Sequence, residues 1–592
     1  VNTVLEKSTV DVATLPARLL ELAHTRGDTV GLRWKTVGRW QSFSWRSYAL
    51  RVAGVAAGLR ELGVTRGGRV AILAENRPEW VFADLAVQGL GAVSVGIYPT
   101  SPPADVEYIL AHAQVEIAIV ENEEQLDKVL AVRGRLPVLR HIVVMDGRGV
   151  RPGDAIPFMD LERDEALDEF AASVSLLDPS SLAVLVYTSG TTGPPKGAML
   201  SHANLLASGH TFAAALPAGP RDEILSYLPL CHVAERLLSV IVALSAGSTV
   251  NFGEGFLTDL HEVQPTIFLG VPRVWEKMMA GVEIRIADST WLKKTLYRLC
   301  VRLGKRIAPR RMTGRASVFD RLVLTLCGLL VFRPLRAKLG MSRARVPLSG
   351  AAPIAPQVLE FLWAIGIPVR EGYGQTENTA ICTLNPPGDV RLGTVGQALP
   401  GVEVRIADDG EILTRSAGVF LGYLNDPGSG VDADGWLHTG DVGALEDGYL
   451  RITDRKKDVI ITAGGKNLSP SEIENRLKVS PYVREAVVIG DRRNYVTALI
   501  GIELETVGDW AARRDLPYTT YADLAGKPEV VALIQTVVRA ANRDLAQVAQ
   551  VKRFTLLDKE LDHEDGELTA TQKVKRAAIE RRFATRIEAM YT

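Results

Sequence analysis

The sequence predicts a large α/β region followed by a smaller α+β domain. Three observations carry this. Helical and strand-like apolar patterns alternate through the first 180 residues, a buried-strand pattern at 182–187 runs straight into a Gly/Thr/Ser loop, and short strands and turns at 436–462 precede a smaller segment with its own strands and helices. In order, residues 47–62 carry apolar side chains at helical spacing and stop at Gly63. Residues 69–73 form a short apolar strand, 80–90 return to helical spacing, and 115–120 are a further strand. Residues 367–369 (Ile-Pro-Val) read as strand-like. In the last segment, 458–462 and 486–489 are strands. Ser469-Pro470-Ser471-Glu472 is a helix start, with a serine cap, proline at the first helical position and a following glutamate. The expected division is 1–454 and 455–592.

Composition narrows the function classes. The 592 residues are 47% hydrophobic and 23% charged, the balance of a globular protein with sizeable cores. Lys plus Arg number 68 and Asp plus Glu 69, a net charge of -1, so nothing global points to nucleic acid, and none is expected as a partner. The cysteines Cys231, Cys300, Cys327 and Cys382 show no CxxC pair, which suits a reducing cytoplasm. No secretory signal is expected from residues 1–26. The longest nearly unbroken apolar run, 322–332 between Arg321 and Arg333, is too short to span a bilayer, which needs about 20 residues. The expected location is therefore cytoplasmic. Residues 298–345 hold 13 Lys and Arg against one acid, Asp320, and enclose that run. Basic charge flanking an apolar stretch suits contact with an anionic membrane, peripherally at its inner face.

The chemistry concentrates in a few strings. Tyr187-Thr188-Ser189-Gly190-Thr191-Thr192-Gly193-Pro194-Pro195-Lys196-Gly197 is a strand followed by glycines, hydroxyls and one lysine. Glycines admit an anion close to backbone N–H groups, hydroxyls add donors, and Lys196 adds charge: a phosphate cradle, without the Walker A spacing. Glu371-Gly372-Tyr373-Gly374-Gln375-Thr376-Glu377 offers a ring for a base, a hydroxyl for a phosphate and a carboxylate for Mg²⁺. Thr439-Gly440-Asp441 offers a bidentate acceptor for ribose hydroxyls.

These strings, in this order, resemble the AMP-forming acyl-adenylate synthetases over nearly the whole chain. The resemblance implies that family's fold, with a mobile C-terminal domain, and ATP, Mg²⁺ and CoA as reactants. It implies catalytic roles for Thr192, Lys196, Glu377 and Lys573, with Glu377 at the metal. Lys573 stands in Leu568-Thr569-Ala570-Thr571-Gln572-Lys573, with Gln572 where glycine is usual and Lys575 as the alternative lysine. Nucleotide contacts are implied for Thr188, Ser189, Gly190, Thr191, Gly193, Gly350, Ala351, Tyr373, Gly374, Gln375, Thr376, Asp441 and Arg455. Lys457 matches the hinge, His232 the wall between nucleotide and acyl pocket, and Gly464, Gly465 and Lys466 the turn beside the CoA arm. The 298–345 insertion and Phe268-Leu269-Gly270-Val271-Pro272-Arg273 resemble the long-chain fatty acyl-CoA synthetase branch. The implied activity is ATP-dependent conversion of a long-chain fatty acid to acyl-AMP, then acyl-CoA. A fatty acyl-AMP ligase delivering to a carrier-protein thiol and an inactive lipid-surface protein are the alternatives. The Gly464-Gly465-Lys466 turn and the absence of a carrier segment favour CoA.

Overall fold

The computed structural model describes residues 13–592 apart from 152, 165, 189–193, 427, 429, 544, 563–564 and 570–572. Among the described residues the first region holds two large sheets. In one, strands run side by side in the order Ile156–Pro157, His141–Val144, Ile117–Val120, Arg69–Leu73, Val93–Ile97, Leu182–Thr188 and Lys196–Ser201. All pairs are parallel except the last. Every side chain of Ile117–Val120 and of Val93–Ile97 is buried, as parallel strands covered on both faces require. The predicted helices at 47–62 and 80–90 are Trp45–Glu61 and Pro78–Gly89.

The second sheet is mixed. Its parallel part runs Val30–Thr36, Thr249–Phe252, Glu223–Ser226, Ile267–Gly270, Val346–Ser349, Arg370–Tyr373. From Arg370–Tyr373 onward, pairing turns antiparallel through Thr383–Leu384, Gln397–Ala398, Tyr449–Arg455, Leu437–Glu446, Glu411–Arg415 and Glu403–Ile406. The strand expected at 367–369 instead begins at Arg370. Pro368 has no N–H to give a ladder, so the apolar run is buried connector and the ionisable residues Arg370 and Glu371 enter the sheet.

Beyond Lys456 lies a three-stranded sheet, Val483–Ile489 antiparallel to Val496–Ile502 and Val496–Ile502 parallel to Val551–Leu556. The helix Pro470–Lys478 starts as its sequence demands, Ser469 Oγ accepting the Glu472 N–H at 3.1 Å. The strand expected at 458–462 is only Ile460–Ile461, paired with Asn467–Leu468, because Lys457 and Asp458 lie in the preceding turn. The basic segment is helical: Trp291–Met312 and Val318–Cys327, continuing through a π-helical stretch Gly328–Phe332 into Arg333–Lys338. All four cysteines are buried and unbonded, yet Cys300 and Cys327 touch across these helices. Burial and that contact push the Cys300 thiol up to about 12.

Candidate active site

The site lies at the carboxyl ends of the parallel strands, where ligands bind in open α/β sheets. Leu182–Thr188 turns back as Lys196–Ser201, placing Thr188 opposite Lys196, with the Thr188 hydroxyl 3.4 Å from the Lys196 carbonyl oxygen. Ser189, Gly190, Thr191, Thr192 and Gly193, between these strands, lie outside the described residues. Residues 421–424 lie along the edge of Lys196–Ser201 through backbone hydrogen bonds to Met199 and Gly197. That arrangement brings Tyr423 to the centre. Its ring lies 5.0 Å from Lys196 Nζ, and its hydroxyl donates to Glu377 Oε1 at 2.5 Å. Lys196 is ion-paired with Asp426 at 2.8 Å, which holds the Asp426 carboxyl below its usual range.

The second focus is Asp441, buried at 6% exposure on Leu437–Glu446. Its Oδ2 accepts from the Tyr373 hydroxyl at 2.6 Å and Gln375 Nε2 at 2.5 Å. Arg455 stands opposite it in strand register, its Nε 3.5 Å from Oδ1. Burial and the neighbouring carboxylate raise the Tyr373 pKa, so its hydroxyl keeps its proton. Gln375 also caps the turn Thr376–Asn378, which aims Glu377 toward Tyr423. Gly374 has no alternative, since a Cβ there would sit 2.1 Å from the Ala380 carbonyl oxygen. After Val346–Ser349 the chain turns through Gly350, and Ala351 adopts the left-handed region at φ +67°. A non-glycine residue pays strain there, a conformation that recurs at ligand clamps.

Two groups complete the cleft. His232 caps the helix Val233–Arg236, its Nδ1 accepting the Ala234 N–H at 3.1 Å. Burial, then nearby Lys573, push its pKa down to about 4. The ring is neutral at pH 7 and its proton resides on Nε2. Lys573 comes from the C-terminal domain. Its side chain reaches solvent but is walled by protein, and this desolvation, followed by Arg455, lowers its pKa, while Asp441 and Glu377 pull the other way. Its loop is closed by backbone pairing of Leu568 with Val574 and by the Thr569 N–H donating to the Lys573 carbonyl at 2.7 Å. Ala570, Thr571 and Gln572 lie outside the described residues.

A model of the AMP-binding enzyme family matches residues 21–424, and one of the AMP-binding enzyme C-terminal domain matches 457–592. The chain belongs to the AMP-binding enzyme family. Among similar curated proteins, long-chain-fatty-acid–CoA ligase FadD15 of Mycobacterium bovis is 35% identical over 577 residues, 94% of this chain and 93% of the relative. Long-chain-fatty-acid–CoA ligase ACSBG2 of Xenopus laevis is 32% identical, covering 98% of this chain and 85% of the relative. The fold is shared with the anthranilate CoA ligase AuaEII, crystallised with anthranoyl-AMP (TM-score 0.72, 22% identity, 97% of this chain and 98% of that one). It is shared too with the adenylation domain of a carboxylate reductase from Mycobacterium chelonae (TM-score 0.73, 23% identity, 98% and 91%).

In this AMP-binding enzyme, Lys196, Tyr373, Gln375, Glu377, Asp441, Arg455, His232 and Lys573 are linked by contacts and electrostatic proximity, with Thr188, Gly350, Ala351, Gly374 and Thr376 at the adjoining strand ends and turns. Gly464, Gly465 and Lys466 do not join them. They form an exposed turn, Gly465 at φ +71°, tied to Thr462 of its own hairpin, while the preceding Ala463 N–H donates to the Arg493 carbonyl. Lys457 is exposed just past the last residue of the large sheet, while Lys456 pairs with Asp409 at 2.5 Å and Glu411 at 3.0 Å. Sequence reading missed Tyr423 and Asp426. Their only sequence signal is an aromatic residue beside glycine, Gly422-Tyr423, shortly before the string Asn425-Asp426-Pro427-Gly428.

Proposed function

We propose that this protein is a long-chain fatty acid–CoA ligase that forms acyl-AMP and then acyl-CoA. The observation that carries the reading is the placement of Lys573, from one domain, within electrostatic reach of Asp441 and Glu377 of the other. The names of the curated relatives supply the acid and acceptor classes.

The acyl carboxylate attacks the α-phosphorus of ATP and pyrophosphate leaves; the CoA thiol then attacks the acyl carbonyl and AMP leaves. The first step needs positioning and neutralised charge rather than a covalent enzyme intermediate. Asp441 accepts the ribose hydroxyls, Tyr373 backs the base, and Lys196 with the loop 188–193 holds phosphate oxygens. Lys573 bridges the carboxylate and α-phosphate. Neutral His232 presents an Nε2–H toward the acyl side and abstracts nothing, since the substrate is already ionised. Buried Cys231, its thiol pushed up by desolvation, takes no part.

Mg²⁺ fits the donor set. Glu377 is a carboxylate joined through Tyr423 to the Lys196 side, and Mg²⁺ is held by one or two carboxylates plus phosphate oxygens rather than by an all-protein cage. Bound there with the nucleotide, it neutralises phosphate charge. We place the domain boundary at 454/455 with the pivot at Lys457, and assign Gly464, Gly465 and Lys466 to the CoA arm after the C-terminal domain turns. The basic segment 298–345 makes peripheral contact with anionic membrane. A panel of acids with ATP, Mg²⁺ and CoA, scored separately for acyl-CoA and AMP, tests the reading. Long-chain acids should give both products with CoA present. AMP release without acyl-CoA would move the acceptor to a carrier protein.

A further inference from the structure

The helix Val318–Cys327 and its continuation Gly328–Phe332 show a stripe of exposed apolar side chains. Val318 is 82% exposed, Phe319 72%, Leu322 56%, Leu326 53%, and Leu329 and Leu330 62% each. Their spacing of three and four residues puts them on one helical face about 18 Å long. The opposite face is fixed: Cys327 and Phe332 belong to the hydrophobic cluster that contains Phe268, Trp275 and Val358. The stripe is thus a rigid part of the domain that builds the active site. Six large apolar side chains on one face exceed the scattered exposure normal for a surface.

The charges around it are one-sided. Arg315, Arg321 and Arg333 flank the stripe, and among the described residues none of them pairs with a carboxylate. The only acid of the segment, Asp320, is 4% exposed; it caps Ser317 and pairs with Arg310 at 2.7 Å. A second copy of this face would set arginine against arginine. Leucines and a phenylalanine rimmed by cations are complementary to a surface that is apolar within and anionic at its rim.

We propose that this face is an in-plane anchor for an anionic lipid bilayer, in which Phe319, Leu322, Leu326 and Leu330 enter the acyl boundary while Arg315, Arg321 and Arg333 meet headgroups. No helix among the described residues is long and apolar enough to cross a membrane, so the helix lies along the surface. This deepens the membrane contact proposed above: charge draws the protein in, and the leucines hold it.

The test uses the full chain with sedimenting vesicles of phosphatidylglycerol and phosphatidylcholine, against phosphatidylcholine alone. Wild type should bind the anionic vesicles. Leu322→Ser/Leu326→Ser/Leu330→Ser, with every charge intact, should lose on the order of tenfold or more in partitioning. It should keep wild-type activity on a soluble medium-chain acid, a readout that separates failure of the anchor from failure of the catalytic reading. Wild-type partitioning by the triple variant would confine the contact to charge and overturn the anchor. So would absent wild-type binding at low salt, or a concentration-dependent dimer in sedimentation velocity that the triple variant abolishes.

Discussion

Arg273, near the start of the helix Pro272–Ala287, forms an ion pair with Glu503 of the C-terminal domain and also lies 3.4 Å from the Val483 carbonyl oxygen. Just past the far end of the same helix, Asp288 takes both arms of Arg513 at 2.7 and 2.9 Å. One helix of the first region therefore holds the second domain at two points, in the orientation that turns Lys573 toward Asp441 and Glu377.

Loosening one of these points should separate the two half-reactions. The Asp288–Arg513 pair is half exposed, and exposed pairs contribute little. Asp288→Asn should therefore slow acyl-AMP formation by only about two- to fivefold, without slowing thioester formation from supplied acyl-AMP. Pre-steady-state measurement of each step checks this, and equal slowing of both would make the pair merely structural.

Asp441 gathers Tyr373, Gln375 and Arg455 around one carboxylate, which the proposed reading assigns to the ribose hydroxyls. Asp441→Ala should raise the ATP requirement and weaken AMP binding. Isothermal titration with AMP, alongside circular dichroism for the fold, decides the point. Unchanged affinity would return Asp441 to a structural role in its hairpin.

In the proposed reaction Lys573 acts as an ammonium, and desolvation holds its folded pKa below the ordinary lysine value. It is protonated below that pKa, so acyl-AMP formation should fall as pH rises through it, at a lower pH than an unperturbed lysine would give. Lys573→Arg should move this alkaline limb upward. A limb that stays in place in the arginine variant would belong to another group.

Glu235, behind the His232 loop, is fully buried, and desolvation raises its pKa to about 7 despite hydrogen bonds from Ser239, Ser226 and the Leu228 and Tyr227 backbone. Between pH 4.5 and 7 the unfolded chain ionises this group while the folded chain keeps its proton. Its contribution thus makes stability fall as pH rises across that window. Thermal melts of Glu235→Gln should show a flatter pH dependence between those values than wild type does.

Where burial alone set the pattern, the fold was legible in the sequence. Residues 69–73 form a strand with those bounds because four of its five side chains are enclosed, and Ser469-Pro470 starts a helix because cap and ring act locally. Where a long-range partner decides, the pattern misled. Arg370 and Glu371 enter the sheet as buried ionisable side chains, Glu371 kept neutral as an acid with its pKa raised by burial to about 8. Cys300 and Cys327 stand far apart in the chain yet meet because two helices fold back on each other. The site was legible as strings of residue types, while Tyr423, whose ring faces Lys196 and whose hydroxyl bonds Glu377, depends on a strand edge no string reveals. Arg310 and Arg311, from sequence simply part of a basic run, are engaged by Asp320 and by the Trp363 carbonyl, whereas Arg315, Arg321 and Arg333 stand exposed beside the apolar stripe.

The convergence of Lys573 on the cleft is tested most directly by Lys573→Ala assayed in each half-reaction. Acyl-AMP formation from fatty acid and ATP should drop by on the order of 10² or more, as loss of a preorganised charge does. Thioester formation from supplied acyl-AMP and CoA should remain near wild type. Equal loss in both steps, or none in the first, would contradict the placement of Lys573 at the reacting carboxylate.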